Sequence, residues 1–165
     1  RERGGADLHR GRFRPVTGRK VYSFDVFDTL LVRSGYEPRD LLRHCEPRFL
    51  ESKADQDREG WAGKWYSLRL NAEAVARERL GGDIEDLQQI YEILRETGEL
   101  TETEADDLMR HELAVEQSDL RLIWRNGRRA SELMSSGERV VFISDMFFSA
   151  RQVGGLLPSP DIPSR

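Results

Sequence analysis

The chain has 165 residues, 38% of them hydrophobic and 34% charged, and a net charge of −4. That profile fits one soluble, helix-rich domain, or a small core carrying one insertion. No stretch approaches the ~20 apolar residues of a membrane span and no apolar h-region stands at the N-terminus, so neither membrane helix nor signal peptide is expected and a cytoplasmic location is. The single cysteine, Cys45, excludes an internal disulfide framework and a cysteine cluster for zinc.

Residues 1–20 hold seven Arg or Lys against two acids, a balance of +5, so the remaining 145 residues sum to −9. With four glycines and a proline in the same stretch, a disordered basic leader is predicted over 1–19. Phe13 is its only aromatic, and nucleic-acid binding is not expected. The run Val21-Tyr22-Ser23-Phe24 predicts a buried strand within 21–27, with Asp25 where that strand should end. Ligands of open α/β sheets gather at the carboxyl ends of strands, which makes Asp25 a candidate for chemistry.

From about 37 to 134 the pattern is helical. Glu37-Pro38 offers a helix start, with Leu41, Leu42, Cys45, Phe49 and Leu50 following at helical spacing. A second helix is predicted over about 59–79, with Trp61, Trp65, Leu68, Ala72, Val75 and Ala76 on one face and Gly81-Gly82 as its stop. Asp83 is read as the cap of a third helix that buries Ile84, Leu87, Ile90, Tyr91 and Leu94 and closes at Gly98. Thr101 to Glu104 is a capping box opening a fourth helix, with Ala105, Leu108, Met109 and Leu113 inward. A last helix, about 127–136, ends at Gly137 and feeds a second strand, 139–144, that finishes in Ser144-Asp145.

More than 110 residues separate the two strands, although a parallel crossover needs only about a dozen. The surplus reads as an inserted helical module rooted beside Asp25, placed to close over the site and exclude water. Gly154-Gly155 with Pro158, Pro160 and Pro163 predict an irregular tail over 151–165. Two strands fall below the size of a stable sheet and leave edges unpaired, so the expectation is a truncated chain of weak or no activity. His9, His44 and His111 lie far apart without ligand spacing.

Phe24-Asp25-Val26-Phe27-Asp28-Thr29-Leu30, followed much later by Val141-Phe142-Ile143-Ser144-Asp145-Met146, resembles the first two motifs of the haloacid dehalogenase-like (HAD) hydrolase superfamily. The resemblance covers about residues 20–150. The phrasing looks nearest to predicted bacterial members encoded near glycosyltransferases. It implies an α/β fold: an incomplete Rossmann-like HAD core of parallel strands at 20–34 and 127–150, with an inserted all-helical cap at 35–126.

The resemblance further implies that Asp25 attacks phosphorus to form an aspartyl-phosphate that water hydrolyses. Mg2+ would sit between Asp25, the Phe27 backbone carbonyl and the substrate. Ser144 would donate to a phosphoryl oxygen, Thr29 would brace the loop, and Asp145 and Arg33 are further candidates for substrate contact. The substrate expected is a small phosphorylated metabolite such as a sugar phosphate. Two departures stand out. Phe27 occupies the place of the general acid/base aspartate, for which Asp28 is the candidate substitute, and the third-motif lysine and fourth-motif acidic pair are absent. These departures keep two alternatives open: haloacid or phosphonate cleavage, and a non-catalytic interaction module.

Overall fold

A computed structural model describes residues 20–157. The expected basic leader and the stretch 158–165 of the expected irregular tail lie outside the described residues. In chain order the elements are β1 (Val21–Asp25), β2 (Leu31–Arg33), α1 (Pro38–His44), α2 (Glu46–Glu51), α3 (Arg58–Trp61) and α4 (Trp65–Leu80). They continue with α5 (Leu87–Glu96), α6 (Glu102–Asp119), β3 (Leu120–Leu122), α7 (Trp124–Ser135), β4 (Arg139–Ile143) and α8 (Ala150–Leu156). The chain is mixed α/β and mostly helical, with a small parallel sheet.

That sheet is β1 paired parallel to β4, Val21 opposite Arg139 through Asp25 opposite Ile143. The ladder runs one step further, where the Val26 amide donates to the Ile143 carbonyl at 2.9 Å. The strands are less buried than their apolar runs predict: Val21 is 52% exposed and Ile143 57%. Among the described residues each strand has one neighbour, which leaves the outer edge of each unpaired there. The buried residues come just after β1, at Val26, Phe27, Leu30 and Leu31.

A second pairing joins β2 and β3, antiparallel, Leu31 opposite Leu122 and Arg33 opposite Leu120. The Ser34 amide donates to the Asp119 carbonyl at 3.0 Å and the Ile123 amide to the Leu30 carbonyl at 2.7 Å. The chain therefore leaves for its helices and returns from them side by side.

The helices pack into one continuous core with Val26, Phe27, Leu30 and Leu31. Trp65 is fully buried, its ring centroid 5.2 Å from Phe49 and 6.2 Å from Tyr91. Leu87, Ile90 and Leu94 from α5 and Ala105 and Leu108 from α6 complete it. Several helix boundaries differ from the sequence reading, each for a local reason. The helix expected from Pro38 through Leu50 breaks at Cys45, because Pro47 cannot donate a backbone bond. The one expected over 59–79 divides at Gly63, whose φ of 75° lies in the left-handed region. There the Glu46 carboxylate accepts from the Gly63 and Trp65 amides, at 2.6 and 3.1 Å, and serves as a cap supplied from another helix.

Asp86, not Asp83, caps α5, in a capping box with Gln89. Thr101 and Glu104 form the expected box on α6. Residues 151–156, expected to be irregular, belong to α8, because Ser149 and Gln152 make a third capping box and Val153 and Leu156 are buried.

Candidate functional site

Two loops follow the adjacent ends of β1 and β4. In the first, the Val26 carbonyl accepts from both the Leu30 and Leu31 amides, each at 2.8 Å, and the Asp28 amide donates to the Leu31 carbonyl at 2.7 Å. This tight turn needs a left-handed residue, and Asp28 supplies it at φ 60°. Aspartate tolerates that conformation better than most side chains.

Asp25 is exposed at the strand end. The Thr29 hydroxyl donates to its Oδ2 at 2.9 Å, so Thr29 fixes the carboxylate itself as well as the loop. In the second loop the Ser144 Oγ accepts from the Met146 amide at 3.1 Å. Its hydroxyl proton remains able to donate outward. Asp145 and Asp28 are both exposed. A recess of about 490 Å3 borders Ser144, with Phe142, Ile143, Phe148, Ala150 and Val153 among its lining; Asp25 is not part of it.

The remaining sequence candidates have structural partners. Phe27 is 7% exposed, and its ring packs 5.9 Å from Phe148. Arg33 also lies over this ring, its guanidinium carbon 5.2 Å from the Phe27 centroid. It pairs with Glu116 at 2.7 Å, with only 10% of its side chain exposed. That contact is close enough for charge but not aligned as a hydrogen bond, and among the described residues Arg33 Nε and Nη2 have no hydrogen-bond acceptor. Arg33 is thus committed to Glu116 rather than open to a substrate anion.

Sequence reasoning passed over four buried charges: Arg69, Glu112, Glu116 and Asp119. Glu112 grips Arg69 with two hydrogen bonds, 3.0 Å from Nε and 2.8 Å from Nη2, and accepts a third from the Tyr91 hydroxyl at 2.8 Å. Glu73 contacts the remaining nitrogen at 3.2 Å. Burial works against the Arg69 charge, but Glu112, Tyr91 and Glu73 more than reverse it and raise its pKa. Burial pushes the Tyr91 hydroxyl well up, reinforced by Glu112. Burial, with Glu112, pushes the Cys45 thiol up to about 12.

Burial also raises the Glu116 carboxyl, against the opposing pull of Arg33. The Ser34 hydroxyl donates to Asp119 Oδ1 at 2.8 Å, while Asp119 Oδ2 is buried without a hydrogen-bond partner among the described residues. The signal for these residues was present on α6. Ala105, Leu108, Glu112, Glu116 and Asp119 share one helical stripe, so acids occupy a face that the pattern makes inward.

A magnesium ion usually takes one or two carboxylates together with substrate oxygens and keeps several waters. Asp25 and the Phe27 carbonyl give one carboxylate and one carbonyl. Among the described residues no group of three or more His, Cys, Asp or Glu side chains gathers as a metal site. The described donors do not by themselves amount to a magnesium site. Among the described residues no helix is long and apolar enough to cross a membrane. Compared with known proteins, the chain matches no protein-family model and no curated protein.

Proposed function

We propose that the chain carries the catalytic strand ends of a HAD-like phosphohydrolase acting in the cytoplasm on a small phosphorylated metabolite. One observation supports this reading above the others. Asp25 and Ser144 follow from adjacent parallel strands, in register at Asp25 and Ile143, at the same end of the sheet. A nucleophile and a hydroxyl donor on neighbouring strand ends suit transfer of a phosphoryl group.

In this reading Thr29 holds Oδ2 of Asp25 and leaves Oδ1 to attack phosphorus. The bond from phosphorus to the leaving oxygen breaks as the aspartyl-phosphate forms. Water then attacks that phosphorus, releasing inorganic phosphate and restoring the carboxylate. Ser144 donates its free proton to a phosphoryl oxygen. Asp28, on the exposed turn, is the candidate acid for the leaving alkoxide, a role worth ~10²–10⁴-fold in such reactions. The reading also calls for Mg2+ at Asp25 and the Phe27 carbonyl, which need further oxygens to retain it.

The test is acid-quench trapping of 32P-labelled protein after incubation with labelled acetyl phosphate, with and without Mg2+. Label in the wild-type chain that disappears in Asp25→Asn supports the reading, and equal label in both overturns it. Asp28→Asn with unchanged turnover would remove Asp28 from the mechanism. Buried Phe27 favours a second reading, in which the leaving group needs no proton. Release of halide from a haloalkanoate without Mg2+, and no release of phosphate, would select it.

A further inference from the structure

We infer that α6 sets the spacing between the two candidate catalytic loops through a pair of arginine-on-aromatic clamps. Glu112 and Glu116 stand one turn apart on this helix, both buried, and each holds an arginine from elsewhere in the chain. Arg33, held by Glu116, lies 5.2 Å from the centroid of Phe27, two residues after Asp25. Arg69, held by Glu112, lies 5.4 Å from the centroid of Phe147, three residues after Ser144.

Phe148 closes the arrangement, 5.9 Å from Phe27 and 5.4 Å from Phe147. Both separations lie in the range where tilted rings attract. The result is one continuous row, Arg33, Phe27, Phe148, Phe147 and Arg69, with both cationic ends tied to the same helix. A guanidinium over a ring is strongest where water is excluded, and Arg69 is fully buried. The forked grip of Glu112 also fixes the plane of the Arg69 guanidinium.

Arg33, Arg69, Glu112 and Glu116 are therefore positioning residues. A ligand or partner that moves α6 moves the Asp25 and Ser144 loops with it. The row also gives Phe27 a purpose: the ring that replaces an acid is the contact that ties the first loop to the helices. The catalytic meaning of the clamp rests on Asp25 and Ser144 being the reacting pair; the mechanical claim does not.

The test is amide hydrogen exchange on the full chain, comparing wild type with Arg69→Lys and Phe147→Leu. Lysine keeps the charge and loses the planar fork, and leucine keeps apolar bulk and loses the ring. The expected result is about tenfold faster exchange at Met146 and Phe148 with α4, α5 and α6 unchanged, since a local opening is released without global unfolding. In the double variant the effect should be no larger than in either single one, because both remove the same contact.

Exchange at 144–148 within twofold of wild type, or faster exchange confined to the helices, would overturn the clamp. If Arg69→Lys fails to fold, Phe147→Leu alone decides, because the Arg69–Glu112 pair stays intact in it. Where wild type turns over a phosphate ester, kcat should fall in Phe147→Leu with KM held. Where it turns over none, the catalytic reading fails and the exchange result still decides the clamp.

Discussion

Glutamine in place of Glu112 keeps the shape of the side chain and removes its charge, and the consequence follows from what surrounds it. Arg69 is fully buried, and its two shortest hydrogen bonds, 3.0 and 2.8 Å, both go to Glu112. Removing one member of a buried ion pair costs about 3–5 kcal/mol, because the other charge is left uncompensated. Glu73, 3.2 Å away and about one-fifth exposed, offsets part of that. The expected loss for Glu112→Gln is therefore about 3 kcal/mol, at the lower end of the range. For a chain of this size that corresponds to a fall in Tm of about 6–12 °C.

The assay is urea unfolding followed by tryptophan fluorescence, with Trp65 in the affected core. A companion variant, Arg69→Met with Glu112→Leu and Tyr91→Phe, removes the buried charges and the hydroxyl at once and leaves only the partly exposed Glu73, which keeps its pairing with Arg77. It should lie within about 1 kcal/mol of wild type, since a buried ion pair is often no more stabilising than well-packed apolar groups. A loss below about 1 kcal/mol for Glu112→Gln, or a triple variant as unstable as the single one, would refute this account.

Glu116 should leave a signature in pH. Its carboxyl is raised above the ordinary value of 4.5, chiefly by burial, so the folded chain holds that proton more tightly than the unfolded chain. Stability from this group is therefore greatest at low pH and is lost as pH rises from about 4.5 through the folded value. The stability of Glu116→Gln minus that of wild type should grow with pH across that window in matched urea titrations; a difference that shrinks would contradict the assignment. Cys45, fully buried with its thiol pushed up to about 12, should react with a disulfide reagent at pH 8 about 10³-fold more slowly than a free thiol, and urea should abolish the protection. At the left-handed position, Asp28→Gly should be at least as stable as wild type, whereas Asp28→Val should lose about 1–2 kcal/mol; the opposite order in thermal melts would show that the turn is not held there.

What the sequence made legible was whatever a local rule controls. Asp25 at the end of β1 and Ser144 at the end of β4 followed from two apolar runs, and the cap of α6 followed from Thr101 and Glu104. The same box was present at Asp86 and Gln89 and again at Ser149 and Gln152, and weighing it there would have started α5 correctly and revealed α8. The ribbon of β2 and β3 was not legible, because three residues each cannot display an alternation and their pairing spans the whole helical segment. Nor was the fate of Arg33. A basic residue a few positions past a candidate nucleophile invites a role toward substrate, and only the fold brings Glu116 to it from more than 80 positions away. Arg69 was hidden for a related reason: its charge placed it outside an apolar face that it in fact shares with Trp65, Ala72 and Ala76.

The side-by-side passage of β2 and β3 has a bearing on how such a molecule diversifies. Ser34 and Asp119 are backbone neighbours at 3.0 Å, so the segment between them begins and ends at nearly one point. A graft with its termini that close adds a closure cost that grows only slowly with its length, about 0.6 kcal/mol per doubling. One helical head could be exchanged for another at this stalk with the paired strand ends undisturbed, provided the newcomer again brought an acid to meet Arg33 and an arginine to meet Phe147.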